Sequence, residues 1–447
     1  MGIGWRGFRW GFRWYGQAVA VAAAVVLLSA AGLPGGRAGR TAHPAGAPGI
    51  IASAASLHGA GHVTIYPGIS STGRMTAGPL GRPAPAVAAA AACPAWSAPP
   101  DVGTTYNILL GVSVTTGCNA WAAGFKTSSA ASPGQALIEH WDGSAWSVQP
   151  SPVPGATSSR LFGVAAASAA SAWAVGWFAT GTTGGALTEH WDGTAWTQVP
   201  CPNPHGTAVF TGVSAPSASN AWAVGRYNIG GTFQTLIEHW DGTAWTQVSS
   251  PDIGSNSNFL TGVAATSASN AWAVGYYRSS NLSNATQTLI LHWNGTAWSQ
   301  VPSPNPGGPS VLNELLGVAA TSASNAWAVG YYINGSGLRT LIEHWNGTAW
   351  TQVRSPSPGA PVNALAGVAS SSATSAWAVG DYETSSLGPP LTLVEHWNGT
   401  RWVQVASPDP GAKSNSLLAV ASHFSDTGAV GFYSNDGATE QALAVRL

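Results

Sequence analysis

The sequence predicts an all-β protein built from repeated four-stranded units. An Ala-Trp-Ala-Val-Gly core recurs with spacings of 49, 50, 55 and 50 residues at Trp173, Trp222, Trp272, Trp327 and Trp377. Every copy also carries an Asn-Gly or Asp-Gly pair between two apolar runs, which is the strongest short signal for a β-hairpin. A period near 50 residues with strand patterning is typical of propeller blades, whereas helical repeats use shorter units.

The copy at residues 317–358 shows how one unit is expected to fold. Its four runs of strand texture are 315–320, 326–332, 340–345 and 349–353, named here strands a, b, c and d. A two-residue turn at Asn346-Gly347 would pair Trp345 with Thr348 and place Glu343 and Trp345 on one face. His344 then lies on the other face, and both faces are largely apolar, as expected of a blade between two neighbours.

The number of units predicts a closed ring. Six complete units carry their strand c tryptophans at Trp141, Trp191, Trp240, Trp293, Trp345 and Trp397. The tail then supplies runs 417–422, 428–433 and 441–447, which match strands a, b and c. Near the N-terminus, Trp96 lies in a segment that matches strand d. The prediction is therefore a seven-bladed β-propeller of four-stranded blades, whose closing blade combines C-terminal strands a to c with N-terminal strand d.

The order of these features resembles a known family. A strand ending in glycine, a variable loop, a strand with an aromatic residue before its turn, and a tryptophan before a Pro-rich exit are similar to kelch and galactose-oxidase central-domain propellers. The kelch double glycine is here Val329-Gly330, and the aromatic residue is Trp345 instead of tyrosine. In texture the repeat is most similar to Trp-rich, uncharacterised secreted bacterial repeat proteins. The resemblance implies the fold, and no copper-radical site carries over.

The N-terminal part divides into two further segments. Residues 1–33 combine three arginines with an apolar run from 18 to 33 that ends in small residues, the pattern of a signal peptide or an N-terminal anchor. Residues 34–91 are rich in Ala, Gly and Pro and are expected to be a disordered spacer. The propeller is expected to occupy residues 92–447.

Charge excludes two classes of partner. Only 7% of residues are charged, and beyond residue 40 the chain has 11 basic and 17 acidic residues, a net charge of −6. No basic patch is left for nucleic acid or anionic lipid, so membrane contact is expected only if the N-terminal segment stays uncleaved.

Residues that depart from the repeat beside variable loops are the candidate binding residues. The b-to-c and d-to-a connections share one face, called here the loop-rich face, and such loops usually carry specificity. The candidates are Phe178, Arg226, Tyr227, Tyr277, Arg278, Tyr332, Arg339, Asp381, Tyr382, Glu383 and Tyr433.

The repeated Glu-His pair, such as Glu343-His344, is interpreted as structural. Adjacent strand residues point to opposite faces, so the two cannot form a dyad within one blade, although Glu of one blade could face His of the next. Blade four has Leu291 at the Glu position. Tryptophans at fixed repeat positions are likewise expected to fill interfaces.

The sequence contains no motif for hydrolase, nucleotide or metal chemistry, so no catalytic residue, metal site or cofactor is predicted. The expected function is a secreted, non-catalytic binding or interaction module, extracellular or associated with the cell envelope, for a glycan, cell-wall or protein ligand. It is expected to be monomeric. The alternatives are a carbohydrate-active hydrolase or lyase on the same face, and a structural surface protein.

Two of the three cysteines are predicted to lock the ring. Cys93 precedes the borrowed strand d, and Cys118 lies in the a-to-b turn of the first blade. These turns share a face in neighbouring blades, so a disulfide is expected there, with Cys201 on the opposite face left free.

Overall fold

The computed structural model describes residues 93–447 apart from 130–131, 154, 182, 254–255, 279–284, 336 and 387. The predicted signal peptide and spacer lie outside the described residues. Within them the chain forms β-strands and a single 3₁₀ turn at Pro204–Gly206. None of the described helical structure is long and apolar enough to cross a membrane.

The first three blades each have four antiparallel strands. Blade one contains β1 (Tyr106–Thr116), β2 (Asn119–Thr127), β3 (Gln135–Trp141) and β4 (Trp146–Gln149). Blade two contains β5 (Ser158–Ser168), β6 (Ser171–Ala179), β7 (Gly184–Trp191) and β8 (Trp196–Gln198). Blade three contains β9 (Val209–Ser217), β10 (Asn220–Ile229), β11 (Thr232–Trp240) and β12 (Trp245–Gln247).

Blades four to six repeat this order, and blade seven has three strands in the part of the chain that the structure describes. Blade four contains β13 (Asn258–Ser267), β14 (Asn270–Tyr277), β15 (Gln287–Trp293) and β16 (Trp298–Gln300). Blade five contains β17 (Asn313–Ser322), β18 (Asn325–Asn334), β19 (Gly337–Trp345) and β20 (Trp350–Gln352). Blade six contains β21 (Val362–Ser372), β22 (Ser375–Glu383), β23 (Leu391–Trp397) and β24 (Trp402–Val405). Blade seven contains β25 (Ser414–His423), β26 (Asp426–Ser434) and β27 (Gln441–Arg446).

The strands a of successive blades form a closed circle. β1 contacts β5, each strand a contacts the next, and β25 contacts β1 again. The predicted seven-bladed ring is therefore confirmed.

The inner strands meet backbone to backbone. A Cβ added at Gly111 would lie 2.9 Å from the Cα of Gly163, and one added at Gly317 would lie 3.1 Å from the Cα of Gly367. Both distances are shorter than ordinary carbon contacts, so a side chain would push the blades apart. A small residue stands at this position in every blade, namely Gly111, Gly163, Gly212, Gly262, Gly317, Gly367 and Ala419.

The glycine that ends the Ala-Trp-Ala-Val-Gly core is required for a steric reason. Strand a of blade five shifts register between Leu315 and Gly317, opposite Gly330 of strand b. This shift brings the carbonyl oxygen of Glu314 to 2.0 Å from where a Cβ of Gly330 would be. Only glycine fits there.

The hairpin between strands c and d differs from its prediction. Trp345 pairs with Trp350, so the turn has four residues and the predicted two-residue turn is wrong. The Asn346 side chain accepts hydrogen bonds from the backbone N–H groups of Thr348 and Ala349 at 3.0 and 3.1 Å, which stabilises the longer turn. Because the register moved by two residues, the predicted faces are still correct.

The hydrophobic core lies in the layers between blades. Between blades one and two, Trp121 of strand b packs on Trp191 and Trp196 of the next blade, with ring centroids 4.9 and 5.1 Å apart. The same triad recurs at the next four interfaces, where the strand b residues are Trp173, Trp222, Trp272 and Trp327. These five tryptophans are at most 1% exposed.

The repeated Glu and His are not paired across the interface. His344 Nε2 lies 2.8 Å from the Asn325 side-chain oxygen of its own blade, and its ring lies 4.1 Å from Trp327. Glu343 is fully buried on the opposite face, and no described residue forms a hydrogen bond with its carboxyl group. Burial therefore raises the pKa of Glu343 well above its ordinary value and lowers the pKa of His344.

The N-terminal segment closes the ring, but not as the predicted strand d of blade seven. Residues 93–105 form no strand, and Trp96 does not occupy the position of strand d. Blade seven has Gly428 where the other blades have the strand b tryptophan, and a Cβ on Gly428 would lie 1.9 Å from the Trp96 ring. Trp96 packs on Trp146 of blade one at 4.9 Å and 82°, close to the 5.1 Å and 87° of Trp121 on Trp196.

The physical reason is the hole that Gly428 leaves between blades seven and one. Trp96 buries more apolar surface in that hole than it would at an exposed strand edge. Backbone hydrogen bonds between Asn107 and Glu440 and between Glu440 and Thr105 join the two ends, at 2.9 and 2.8 Å. The ring is thus closed by both termini, with Trp96 as a substitute for the missing strand b tryptophan.

Candidate ligand-binding face

The loop-rich face is built where strands b end and strands c begin. On strand b the two residues after the core glycine alternate between the following and the preceding blade interface. The second of these residues is aromatic in blades two to seven, as Phe178, Tyr227, Tyr277, Tyr332, Tyr382 and Tyr433. All six pack half-buried against a core cluster. They seal the tops of the interblade layers, which limits how much of each ring a ligand could contact.

Tyr227 has a further partner on the surface. Its ring lies parallel to the ring of His205, with centroids 5.7 Å apart and planes at 3°. Burial and the nearby Asp252 raise the pKa of Tyr227 above its ordinary value.

The first residue after the core glycine breaks the repeat and forms a buried polar cluster in blades three to five. Arg226 is 3% exposed and lies over the rings of Phe233 and Phe259, each 5.4 Å from its guanidinium carbon. Phe259 stacks on Tyr276 at 4.9 Å. Burial lowers the pKa of Arg226 and raises the pKa of Tyr276.

Glu314 is the acidic member of this polar cluster. It accepts hydrogen bonds from the hydroxyls of Tyr331 and Thr286 at 2.5 and 3.0 Å. Burial raises the pKa of Glu314, while these two hydrogen bonds and the charge of Arg278 lower it. The carboxyl group of Glu314 is therefore hydrogen-bonded to blades four and five. The Nε and Nη2 atoms of Arg226 are buried, and no described residue forms a hydrogen bond with them.

In blade six the candidate acids are separated. Asp381 is buried and accepts a hydrogen bond from the Ser416 hydroxyl of blade seven at 2.9 Å. Glu383 lies at the end of β22, half-buried, and burial raises its pKa. Asp381 thus joins two blades, and only Glu383 lies near the surface.

A cleft on blade five is the candidate binding site, called here the arginine cleft. Its volume is about 420 Å³, and its lining residues are Tyr332, Asn334, Arg339, Thr340, Gln352, Val353, Arg354, Ser355 and Ser357. Arg339 Nη1 donates to the carbonyl of Gly359 at 3.3 Å. The Thr340 hydroxyl lies 2.6 Å from Ser355 Oγ and 2.9 Å from Ser357 Oγ. One wall is therefore cationic and another is a network of hydroxyls.

The two arginines are specific to blade five. At the position of Arg354 the other complete units have Pro150, Pro200, Ser249, Pro302 and Ala406. At the position of Arg339 they have Gln135, Gly185, Gln234, Gln287 and Leu391. Arg339 is among the predicted binding residues and Arg354 is not, although the departure of Arg354 from the repeat is visible in the sequence.

The structure does not collect the predicted site residues into one pocket. Tyr332 and Arg339 share the arginine cleft, Arg226 and Arg278 adjoin the polar cluster, and the others lie on blades two, three, four, six and seven. A single site formed by all eleven is not what the fold builds.

Cys93 and Cys118 form a disulfide with their Cα atoms 5.4 Å apart, the same pair that the sequence analysis chose. Arg446 Nη1 donates to the carbonyls of Cys93 and Pro94 at 2.7 and 3.0 Å, and Arg446 also forms an ion pair with Asp426. Cys201 is free, and burial raises the pKa of its thiol to about 12. These contacts fix the N-terminal segment beneath blades seven and one.

The fold and the cleft define a β-propeller with seven blades. No family model matches the chain, and no curated protein matches it. Three solved structures are similar to this chain at low identity. YCF48 from Cyanidioschyzon merolae is 14% identical, with a TM-score of 0.47 over 79% of this chain and 98% of that one. The WD40 propeller domain of Doa1 is 9% identical, with a TM-score of 0.47 over 76% and 91%. The PL25 ulvan lyase is 8% identical, with a TM-score of 0.47 over 74% and 91%.

Proposed function

We propose that this protein is a secreted, non-catalytic binding module whose arginine cleft takes an acidic glycan. The observation that supports the proposal is the placement of Tyr332, Arg339 and Arg354 around one cleft on the loop-rich face. A propeller supplies a rigid frame on which a single departure from the repeat creates a site.

The chemistry of the lining favours a sugar that carries a carboxylate or a sulfate. Guanidinium groups bind such anions through paired, charge-assisted hydrogen bonds. A tyrosine ring offers an apolar surface to a pyranose, and its hydroxyl stays available for hydrogen bonding. Hydroxyl and amide groups of Ser357, Thr340 and Gln352 suit the remaining sugar hydroxyls.

The same lining argues against glycoside hydrolysis. Glycosidases need two carboxyl groups beside the scissile bond. The nine residues that line the cleft include no Asp, Glu or His.

Export is the second part of the proposal. It is supported by the signal-like residues 1–33, by the low content of charged residues and by the Cys93–Cys118 disulfide, since disulfides persist in oxidising compartments. A kelch-type origin of the repeat remains a resemblance.

A glycan array tests the proposal. The full chain should bind uronate-containing or sulfated glycans, and Arg354→Ser, which copies blade three, should weaken that binding at least about tenfold. Arg401→Ala is the matched control because Arg401 lies exposed in a c-to-d turn away from the cleft. Equal loss in both variants, or binding confined to neutral glycans, would refute the cleft.

The enzymatic alternative is tested on the same glycans. Incubating each bound polysaccharide with the protein should leave its chain length unchanged by size-exclusion chromatography. New reducing ends without unsaturation would show that the protein is a hydrolase, and unsaturated uronates would show that it is a lyase. Either result would refute the non-catalytic module.

A further inference from the structure

Among the described residues, the sheet of blade seven has no fourth strand at its outer edge, unlike the sheets of the other six blades. Its sheet order is β25–β26–β27, whereas each other sheet ends in a strand d. Within residues 93–447, leaving aside the short gaps, no strand pairs with the outer side of β27. The N-terminal segment does not take this place, because Trp96 is packed between blades seven and one.

The missing strand leaves a tryptophan of blade six partly uncovered. In blade five, the equivalent Trp327 is covered by Trp397 and Trp402 at 4.9 and 5.1 Å and is 1% exposed. Trp377 has Leu447 and Val405 around it in a smaller core cluster, and it is only partly buried. No described residue fills the position here that a strand d tryptophan takes at the other interfaces.

The backbone of β27 is also oriented to receive a strand. The N–H of Leu447 donates inward to the carbonyl of Thr427 at 2.9 Å. Because backbone groups alternate along an antiparallel strand, the N–H and C=O groups of Ala444 and Arg446 point outward. Such an unpaired edge is a template for adding a strand.

We propose that this outer edge of β27, together with Trp377 and Val405, binds an extended segment of a partner protein as the fourth strand of blade seven. The occupant runs antiparallel to β27 and inserts a tryptophan against Trp377. This surface, called here the blade-seven edge, is separate from the arginine cleft, and the inference does not depend on the proposed function.

The six complete blades show what chemistry the occupant needs. Each strand d begins with a buried tryptophan that pairs with the last residue of strand c, as Trp402 does with Trp397. Residues after it are short and polar and face outward, as Thr246 and Gln247 do in blade three. The groove is continuous with the core between blades six and seven, so an apolar anchor in it extends an interface that already exists.

A peptide with the sequence of residues 242–249 is the probe, since it carries the strand d of blade three. Labelled with fluorescein, it should bind the full chain in an anisotropy titration. The same peptide with serine in place of its tryptophan should bind at least about tenfold more weakly, because the anchor is lost.

A variant of the protein provides the matched control. Appending the sequence of residues 346–353 after Leu447 supplies a turn and a strand d in the same chain. The appended variant should no longer bind the peptide and should melt at a higher temperature than the unmodified chain. An appended sequence with serine for tryptophan should leave peptide binding in place.

Each other outcome overturns the proposal. No binding to the full chain means that the edge is closed or already filled by residues 1–92. Binding that survives the appended strand places the peptide elsewhere. If the full chain is a dimer and the appended strand dissociates it, the edge binds a second copy of the chain instead of a partner protein.

Discussion

The interface between blades four and five and the one between blades seven and one contain the same tryptophan packing from different parts of the chain. In the first, Trp272 belongs to strand b and meets Trp350 at 5.1 Å. In the second, Trp96 arrives from the N-terminal segment and meets Trp146 at 4.9 Å. A position in a repeated core can therefore be filled by any segment that reaches it, provided that the local side chain is small enough.

The two interfaces differ in how their tryptophan is held. Trp272 is fully buried and fixed by the hydrogen bonds of its own sheet. Trp96 is half-buried in a segment without strand pairing, so the disulfide and Arg446 hold it instead. The closing interface should therefore be the weaker one and should depend more on covalent and polar links.

Removing each tryptophan gives the largest expected effect. Trp272→Ala should lower the free energy of unfolding by about 4 kcal/mol, and Trp96→Ala by about 2 kcal/mol, because less surface of Trp96 is buried. Chemical denaturation monitored by circular dichroism measures both.

The control supplies the indole ring from position 428 of strand b instead of from Trp96. Gly428→Trp alone should destabilise the protein because its side chain collides with Trp96. In the Trp96→Ala background it should recover stability. If the double variant is less stable than Trp96→Ala, Trp96 does not take the place of the missing strand b tryptophan.

The disulfide should matter at the closing interface. The double variant Cys93→Ser/Cys118→Ser should lose about 3 kcal/mol, since it releases a loop with a sequence separation of 25. Thermal unfolding with and without reductant measures this loss. Cys201→Ala is the control and should respond to reductant as the wild type does. Equal melting temperatures for the wild type and the double variant would show that the disulfide does not stabilise the closing interface.

The next effect concerns the buried carboxyls of the regular interfaces. Burial raises the pKa of Glu238 from its ordinary 4.5 to about 8, so the folded state holds a proton that the unfolded state releases above pH 4.5. The contribution of Glu238 to the free energy of unfolding is therefore fully present below pH 4.5, and it is lost as the pH rises from 4.5 to about 8.

Blade four provides the matching substitution, because it has Leu291 where blade three has Glu238. Glu238→Leu should stabilise the protein about 3 kcal/mol more at pH 8 than at pH 5. Leu291→Glu should do the reverse. Denaturation curves with the same pH dependence in both variants and the wild type would show that these carboxyls are paired in solution.

The smallest effect is in the histidines. Each repeated histidine contacts its own blade. Burial lowers the pKa of His190 and His239, and the charges of Asp192 and Asp241 in the following turns partly offset this. His239, whose interface contains Leu291, should therefore titrate by NMR like His190, whose interface contains Glu238. A distinct titration of His239 would revive pairing between Glu and His across blades.

Much of the fold could be predicted because it depends on local signals. The period and the turn at Asn346 gave the blades, and strand alternation kept the faces correct even though the turn has four residues. The place of Trp96 depends on Gly428, more than 300 residues away, so local matching to strand d assigned it wrongly. The pattern Thr427-Gly428-Ala429 already lacked the expected tryptophan.

The candidate binding site was less predictable for a related reason. Aromatic residues such as Tyr227 and Tyr382 lie on the predicted face, but packing against the neighbouring blade half-buries them. Burial of this kind is a property of the assembled ring and not of one unit. Arg354 was recoverable by comparing equivalent positions of the six units.

The glycines at the axis fix the packing of the inner strands, whereas the loops between strands b and c are free to change in length. The seven inner strands contact their neighbours there through six glycines and Ala419, so the circumference at the axis is set by the number of blades. Duplicating one unit of about 50 residues would enlarge that circle and break these contacts, whereas lengthening a b-to-c loop leaves them unchanged. New specificity in such a chain is therefore expected to arise by changes in loops, while the blade number stays at seven.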